Sequence, residues 1–490
     1  MLASTPFGSS REVYGWVSGF TNLERGQILR SFRPDRMKAL AELAGSPEKC
    51  APSFHVAGSK GKGSVTGMIA AILEASKLKI ARYASPHVYD FRERIACGGG
   101  FFDEVTYCRA GNELRDLVKD LPSSPCARLF DPSFPDGDPP SFFELMTLWF
   151  FLCARLSRAD AMAVETGMGG RLDATNILDP LASIITNIEL EHTEYLGNTI
   201  GKIAGEKAGI IKPGRPVFIA EQDREALTVL KERAEANESP VFYFPECTEL
   251  RNIRFDQKGT TFDLFLKKNV AQKDTAQGEL LSGILVKIPG EVQAYNAGLA
   301  ILAVKTVFPH ITETDIRKGL ACFTLPARFE RISGKPLIIA DGAHTPRSVE
   351  YCLKTFSSLY GDRGILVFGC AEGKDLLSMA KLCVPSFSRI IITTPGTFKK
   401  SNPEKIYEAF SEEAEKLKES NDAMEPKAGQ APRPIPEILF FPETAMAIKK
   451  ALEPAIESGV PFLGTGSFYL AAEIRKIVET SDISRFRNGN

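Results

Sequence analysis

The chain has 490 residues, 60 basic against 61 acidic side chains and a formal net charge of -1; that length suits two packed domains, and the balanced charge without a basic block argues against a nucleic-acid partner and for a small molecule. The ten cysteines stand singly with no C-x-x-C pair, which excludes a zinc ribbon or disulfide framework and indicates reduced thiols in a cytoplasmic protein. The opening MLASTPFGSSREVYGWVSGF lacks a basic start followed by an apolar core, and no stretch reaches the ~18 uncharged apolar residues of a membrane helix, since the longest, Phe142 to Leu156, carries Glu144.

Short runs rich in Val, Ile and Ala alternate with longer helical patterns, which predicts an α/β fold with a mostly parallel sheet covered by helices. The first strand, near Phe54 to Ala57, runs into Gly58-Ser59-Lys60-Gly61-Lys62-Gly63-Ser64 and then an amphipathic helix reaching about Ala75. In such a loop glycines let backbone N–H groups approach phosphate oxygens, and the helix start adds positive potential. Lys62 can reach outer phosphates and Ser64 can face a magnesium ion. The loop is shorter than G-x-x-x-x-G-K-[ST], with Gly63 between Lys62 and Ser64, and a plain glycine turn is the alternative.

A strand near Ile80 to Ala84 follows. Glu144 then stands alone in the apolar window SFFELMTLWFF, where an unpaired charge costs several kcal/mol. It therefore needs a cation, a metal or a nearby helix end: a magnesium ligand is one reading, and an ordinary buried ion pair or a helix-edge residue is the plain one. The next strand, near Ala161 to Glu165, ends in ETGMGGRLDATN, a glycine-rich segment with charged groups at a strand's carboxyl end, where ligands of open α/β sheets sit; a structural turn would read the same.

Strands near Ser183 to Asn187 and Val217 to Ala220 come next. His192 follows the former among acidic residues, and His55, His87 and His344 also fall at or near predicted strand ends, so a metal or nucleotide role stands beside a structural one. Lys207, in AGEKAGIIK, falls near a helix end, where an exposed salt bridge is the plain reading. Thr260 to Lys267 alternates as in an antiparallel patch ahead of a helix starting near Glu291. After Pro326 a second alternating series has strands near Leu337 to Asp341, Ile365 to Gly369, Ile390 to Thr394, Ile438 to Phe441 and Phe462 to Gly464. Ser420 to Pro436 reads as an exposed polar loop.

Taken in order, HVAGSKGKGS, YASPH, FFE, VETGMGGRLDATN, LEHTEYLG, EKAGIIK, the helix of Asn296, PARFE, DGAHTP and LGTGS resemble the folylpolyglutamate synthase and dihydrofolate synthase family of the Mur-ligase superfamily. The resemblance implies a phosphate-loop ATP-binding domain over 1–326 and a smaller Rossmann-like glutamate-ligase domain over 327–490. It implies ATP contacts from Ser59, Lys60, Gly61, Lys62, Gly63, Ser64, Asn296, Arg328, Asp341 and His344, and magnesium ligands from Ser64, Ser85, Glu144 and His192. Lys62, Lys207 and His192 would be catalytic, with Lys207 matching a lysine carbamylated in many relatives. The implied reaction joins L-glutamate to dihydropteroate or a reduced folate, with ATP and Mg2+, in a monomer.

Three positions depart from the family pattern: Lys60 stands for the common Asn, Glu191 for Asp and Thr345 for Asn. A Mur ligase acting on another carboxylate would share the core motifs, but the 57 residues before Gly58 are too few for its sugar-nucleotide domain. A phosphate-loop ATPase without ligase activity would leave the motifs after Pro326 unexplained.

Overall fold

The structure, a computed structural model, describes residues 5–22, 33–134, 137–267, 278–422 and 435–480. Two compact units emerge, the first comprising 1–254, 261–287 and 293–323, the second 255–260, 288–292 and 324–490.

The first unit carries β1 (Ser53–Ala57), β2 (Ile80–Tyr83), β3 (Ile95–Cys97), β4 (Gly100–Phe101), β5 (Ala161–Glu165), β6 (Ala182–Ile185), β7 (Val217–Ile219) and β8 (Val241–Tyr243) in the order β4-β3-β2-β5-β1-β6-β7-β8. Pairings from β2 to β8 are parallel, whereas β3 and β4 join antiparallel at the edge. β1 and β5 are buried at every position, as strands covered on both faces must be. Helix Phe142–Ser157 packs its aromatic residues, Trp149, Phe150 and Phe151 among them, into one core, while Ile203, Ile210 and Leu230 belong to another.

A separate three-stranded sheet, β9 (Thr248–Asp256), β10 (Gly259–Leu266) and β11 (Glu279–Val286), has β10 in its centre. Only Gln257 and Lys258 link β9 to β10, a connection that antiparallel neighbours alone allow. The helix expected near Glu291 spans Val292–Val307.

The second unit has β12 (Glu330–Gly334), β13 (Leu337–Ala340), β14 (Gly364–Phe368), β15 (Phe387–Ile392), β16 (Glu437–Phe440) and β17 (Phe462–Thr465), ordered β12-β13-β17-β14-β15-β16. β12 alone runs antiparallel. Of the segment expected to loop from Ser420 to Pro436, Ser420 to Asp422 end the helix Pro403–Asp422 and 423–434 lie outside the described residues.

Candidate active site

Four neighbouring strands of the first sheet, β2, β5, β1 and β6, deliver their carboxyl ends side by side, and the loops that follow them carry most of the expected site. After β1 the chain turns through Gly58 at φ +145° and Gly61 at φ +88°, and helix Lys62–Ala75 begins. Glycine is required at both: a Cβ on Gly58 would lie 1.9 Å from Thr186 Oγ1, and one on Gly61 would lie 2.6 Å from Asn296 Oδ1. The second contact places Asn296 against the phosphate loop, although 235 residues' worth of chain hides that from local pattern reading. Ser64, in the helix's first turn, is buried.

Lys62 Nζ donates to Gly58 O at 2.9 Å, and Lys207 Nζ donates to the same carbonyl at 2.8 Å. Lys207 also pairs with Glu191 at 2.9 Å, with only 1% of its side chain exposed, so the surface salt bridge expected from sequence is a buried one. Burial pushes the Lys207 ammonium below the ordinary lysine value, with Glu191 partly offsetting it. For Glu191 burial opposes ionisation, yet Lys207, Lys62 and Lys60 outweigh it and hold the carboxyl below its ordinary 4.5.

The Glu191 carboxylate therefore binds protons more readily in the unfolded chain, and its contribution to stability is present above 4.5 and lost as pH falls through the lower folded-state value. Glu191→Gln is expected to flatten this part of the acid limb, checked by urea unfolding of both proteins between pH ~3 and ~7. An unchanged limb would show that Glu191 is not held as an anion by the lysines.

Glu144 caps its own helix. Its Oε2 accepts from Ser141 N at 2.7 Å and Ser141 Oγ at 2.8 Å, and its Oε1 accepts from Arg36 Nε at 3.0 Å. Arg36 also donates to the carbonyls of Asp138 and Pro139, at 2.8 and 2.9 Å, and to that of Leu129. This lone carboxylate thus has both an ion-pair partner, Arg36, and a place in the cap of its own helix.

A second buried carboxylate, Glu165, lies at the carboxyl end of the sheet. It closes β5, is buried, and its Oε2 accepts from the backbone N–H of Ser85 at 3.3 Å, just past β2. The next hydroxyl, Thr166 Oγ1, is buried without a hydrogen-bond partner among the described residues. Hydroxyl and carboxylate oxygens of this kind suit a hard cation such as magnesium. Among the described residues no three His, Cys, Asp or Glu side chains converge on one point; a magnesium ion here would complete its shell with phosphate oxygens and water, as it ordinarily does.

The loop after β5 is folded by Asp173, whose Oδ2 accepts from Gly167 N at 2.9 Å and Met168 N at 3.0 Å. Asp173 Oδ1 accepts from the Thr175 hydroxyl, so that oxygen in turn accepts from His55 Nε2 at 2.8 Å. His55 is the third residue of β1, fully buried, and burial drives its imidazole down to about 3, leaving it neutral. His55 is therefore interior rather than at a strand end. His87 Nδ1 accepts from Arg94 Nε at 2.8 Å. His192 is exposed at φ +48° and opens the short helix Thr193–Leu196.

In the second unit Arg328 lies between Ala327 at φ +52° and Phe329 at φ +45°, a strained stretch held by Asp341, whose two oxygens accept from Phe329 N and Ala343 N at 2.7 Å each. The Arg328 guanidinium sits over the Phe468 ring at 4.3 Å, and the His344 ring lies 5.5 Å from the same phenyl. His344 Nδ1 faces Gly342 O at 2.8 Å and so carries the hydrogen. Sequence reading did not single out Glu165, although a charged residue ending the apolar run AMAV was its signal, nor Phe468, which carried none.

Residues 144–304 match the Mur ligase middle domain, and residues 327–468 match the Mur ligase, glutamate ligase domain. The chain is 33% identical over 383 residues to the dihydrofolate synthase/folylpolyglutamate synthase of Bacillus subtilis, covering 76% of this chain and 83% of that one. It is 30% identical to the folylpolyglutamate synthase of Lacticaseibacillus casei, over 77% and 84% of the two chains. Among solved structures, the Mycobacterium tuberculosis folylpolyglutamate synthase complexed with ADP and AMPPCP superposes with a TM-score of 0.78 at 26% identity, covering 96% of this chain and 98% of that one.

Proposed function

The chain belongs to the folylpolyglutamate synthase/dihydrofolate synthase family, and on that premise we propose that the loop after β1 holds the phosphates of ATP while a folate-type carboxylate is activated beside it. The protein is an ADP-forming ligase that joins L-glutamate to that carboxylate. The observation that carries the site assignment is the convergence of the phosphate loop, Ser85, Glu165 and the Lys207–Glu191 pair at the ends of adjacent strands.

The acceptor carboxylate attacks the γ-phosphorus, giving an acyl phosphate and ADP, and the glutamate amine then displaces phosphate to form the amide. Positioning and charge neutralisation supply most of the catalysis in such a transfer. Lys62, released from Gly58 O, neutralises charge on the transferred group, and the backbone N–H groups at the start of helix Lys62–Ala75 hold the phosphates. Bound magnesium supplies further charge neutralisation, with Ser64, Ser85, Glu165 and His192 as the residues that would hold it, Glu165 standing in for Glu144, whose carboxylate pairs with Arg36. Arg328, Asp341 and His344 are the nucleotide contacts proposed in the second unit. Lys207, buried and with its ammonium disfavoured, is the proposed carbamylation site.

Both dihydropteroate and reduced folates are proposed acceptors, a reading supported by the double name of the Bacillus subtilis relative. Incubation with ATP, magnesium and glutamate plus either dihydropteroate or tetrahydrofolate, with products weighed by mass spectrometry, is expected to show glutamate gained by each. Gain by one alone reduces the protein to the corresponding single-function ligase, and ADP release that ignores both acceptors would overturn the assignment.

A further inference from the structure

We propose that Gln222 and Ser59 are paired positioning residues that clamp the loop after β6 from its two sides and so set the attitude of Glu191 and His192. The inference rests on the magnesium–ATP reading above.

From one side, Gln222 Nε2 donates to Thr186 O at 2.8 Å and its Oε1 accepts from Ile188 N at 3.0 Å. Asn187 Nδ2 adds a bond to Glu221 O at 2.9 Å. From the other, Ser59 N donates to Asn187 O at 2.8 Å, Ser59 Oγ donates to Glu189 O at 3.1 Å and it accepts from Glu189 N at 3.0 Å. Thr186 O and Ile188 N thus turn to one side and Asn187 O and the Glu189 backbone to the other, as in a strand within a sheet, but the partners of these groups are one amide side chain and the phosphate loop. The absence of a Cβ on Gly58 is what lets Thr186 come close enough for this.

Two residues later the chain reaches Glu191, bound to Lys207, and His192 in its left-handed conformation. Their orientation is inherited from the clamped segment. A serine hydroxyl has one hydrogen to donate, and that of Ser59 goes to Glu189 O. Ser59 therefore acts on the phosphate site through the β6 loop, in place of the direct phosphate contact expected from sequence. Gln222 does so from a half-buried position outside the phosphate loop.

The test compares wild type with Gln222→Ala, Ser59→Ala and Ser59→Thr. Deuterium exchange of segment 186–192 is followed in the nucleotide-free protein. Binding of a non-hydrolysable ATP analogue is then measured by calorimetry with and without magnesium. Gln222→Ala and Ser59→Ala are each expected to speed exchange at several amides of the segment. Each should also cut the affinity gained from magnesium by about tenfold, leaving metal-free binding and the thermal midpoint as in wild type. Ser59→Thr, which keeps the hydroxyl, retains both.

Faster exchange of the single Ile188 amide with an intact magnesium effect would overturn the clamp. So would a Ser59→Ala protein that loses equal affinity with and without metal, the mark of a direct phosphate contact. A wild-type protein whose analogue binding ignores magnesium contradicts the magnesium–ATP reading instead, and the exchange result then decides the clamp alone.

Discussion

Glu165→Gln is expected to lower kcat/KM for the ligation by about 100-fold or more while leaving the thermal midpoint within about 2 °C of wild type. Glutamine keeps the shape of the β5 end and an oxygen for Ser85 N, so the fold loses little. What disappears is the negative charge beside Ser85 that a divalent cation would find. Glu144→Gln should do the reverse. Its carboxylate and Arg36 form a pair with 11% and 4% of their side chains exposed, and removing one charge leaves the other buried, at a cost of about 3 kcal/mol. The midpoint should fall by several degrees, with the magnesium dependence of the remaining activity unchanged. Melting curves and magnesium titrations of both variants check this; if Glu144→Gln abolishes the magnesium dependence and Glu165→Gln does not, the assignment of the two carboxylates is wrong.

The second large effect is expected at Lys62. Lys62→Met should lower kcat by about 1000-fold, in the range seen when one preorganised donor to a developing charge is removed. Among the described residues the Lys62 ammonium donates to a carbonyl of its own loop, Gly58 O at 2.9 Å. Methionine preserves most of the stem's packing, and Lys207 still satisfies Gly58 O, so stability should change by less than about 1 kcal/mol. Single-turnover kinetics separates the outcomes: a variant with slow product release but normal acyl transfer would show that Lys62 does not act on the transferred phosphoryl group.

Much of the architecture was legible because its determinants are local. The buried strands of both parallel sheets are short apolar runs, and Ala161–Glu165 is read to the residue. The strand expected at Ile390 to Thr394 is displaced to Phe387–Ile392 because Thr394 turns away to bond Pro442 O and Thr444. The phosphate loop was legible for the same reason, since its glycines, lysine and helix start lie in one run. What could not be read was which distant group answers each charge. Arg36 and Glu144 are 108 positions apart, Ser59 and Glu189 are 130 apart, and Lys207 reaches Gly58 across 149. A lone carboxylate in an apolar helix announces that it has a partner without saying which. Glu165, ending a strand where ligands gather, had the stronger topological claim.

The most direct measurement uses an acceptor whose reacting carboxylate carries 18O. With ATP, magnesium and glutamate present, one labelled oxygen per amide formed is expected in the released inorganic phosphate, because the bridging oxygen of an acyl phosphate comes from the carboxylate and leaves with phosphorus. Amide formation with no label in phosphate would contradict the phosphoryl-transfer account of this site.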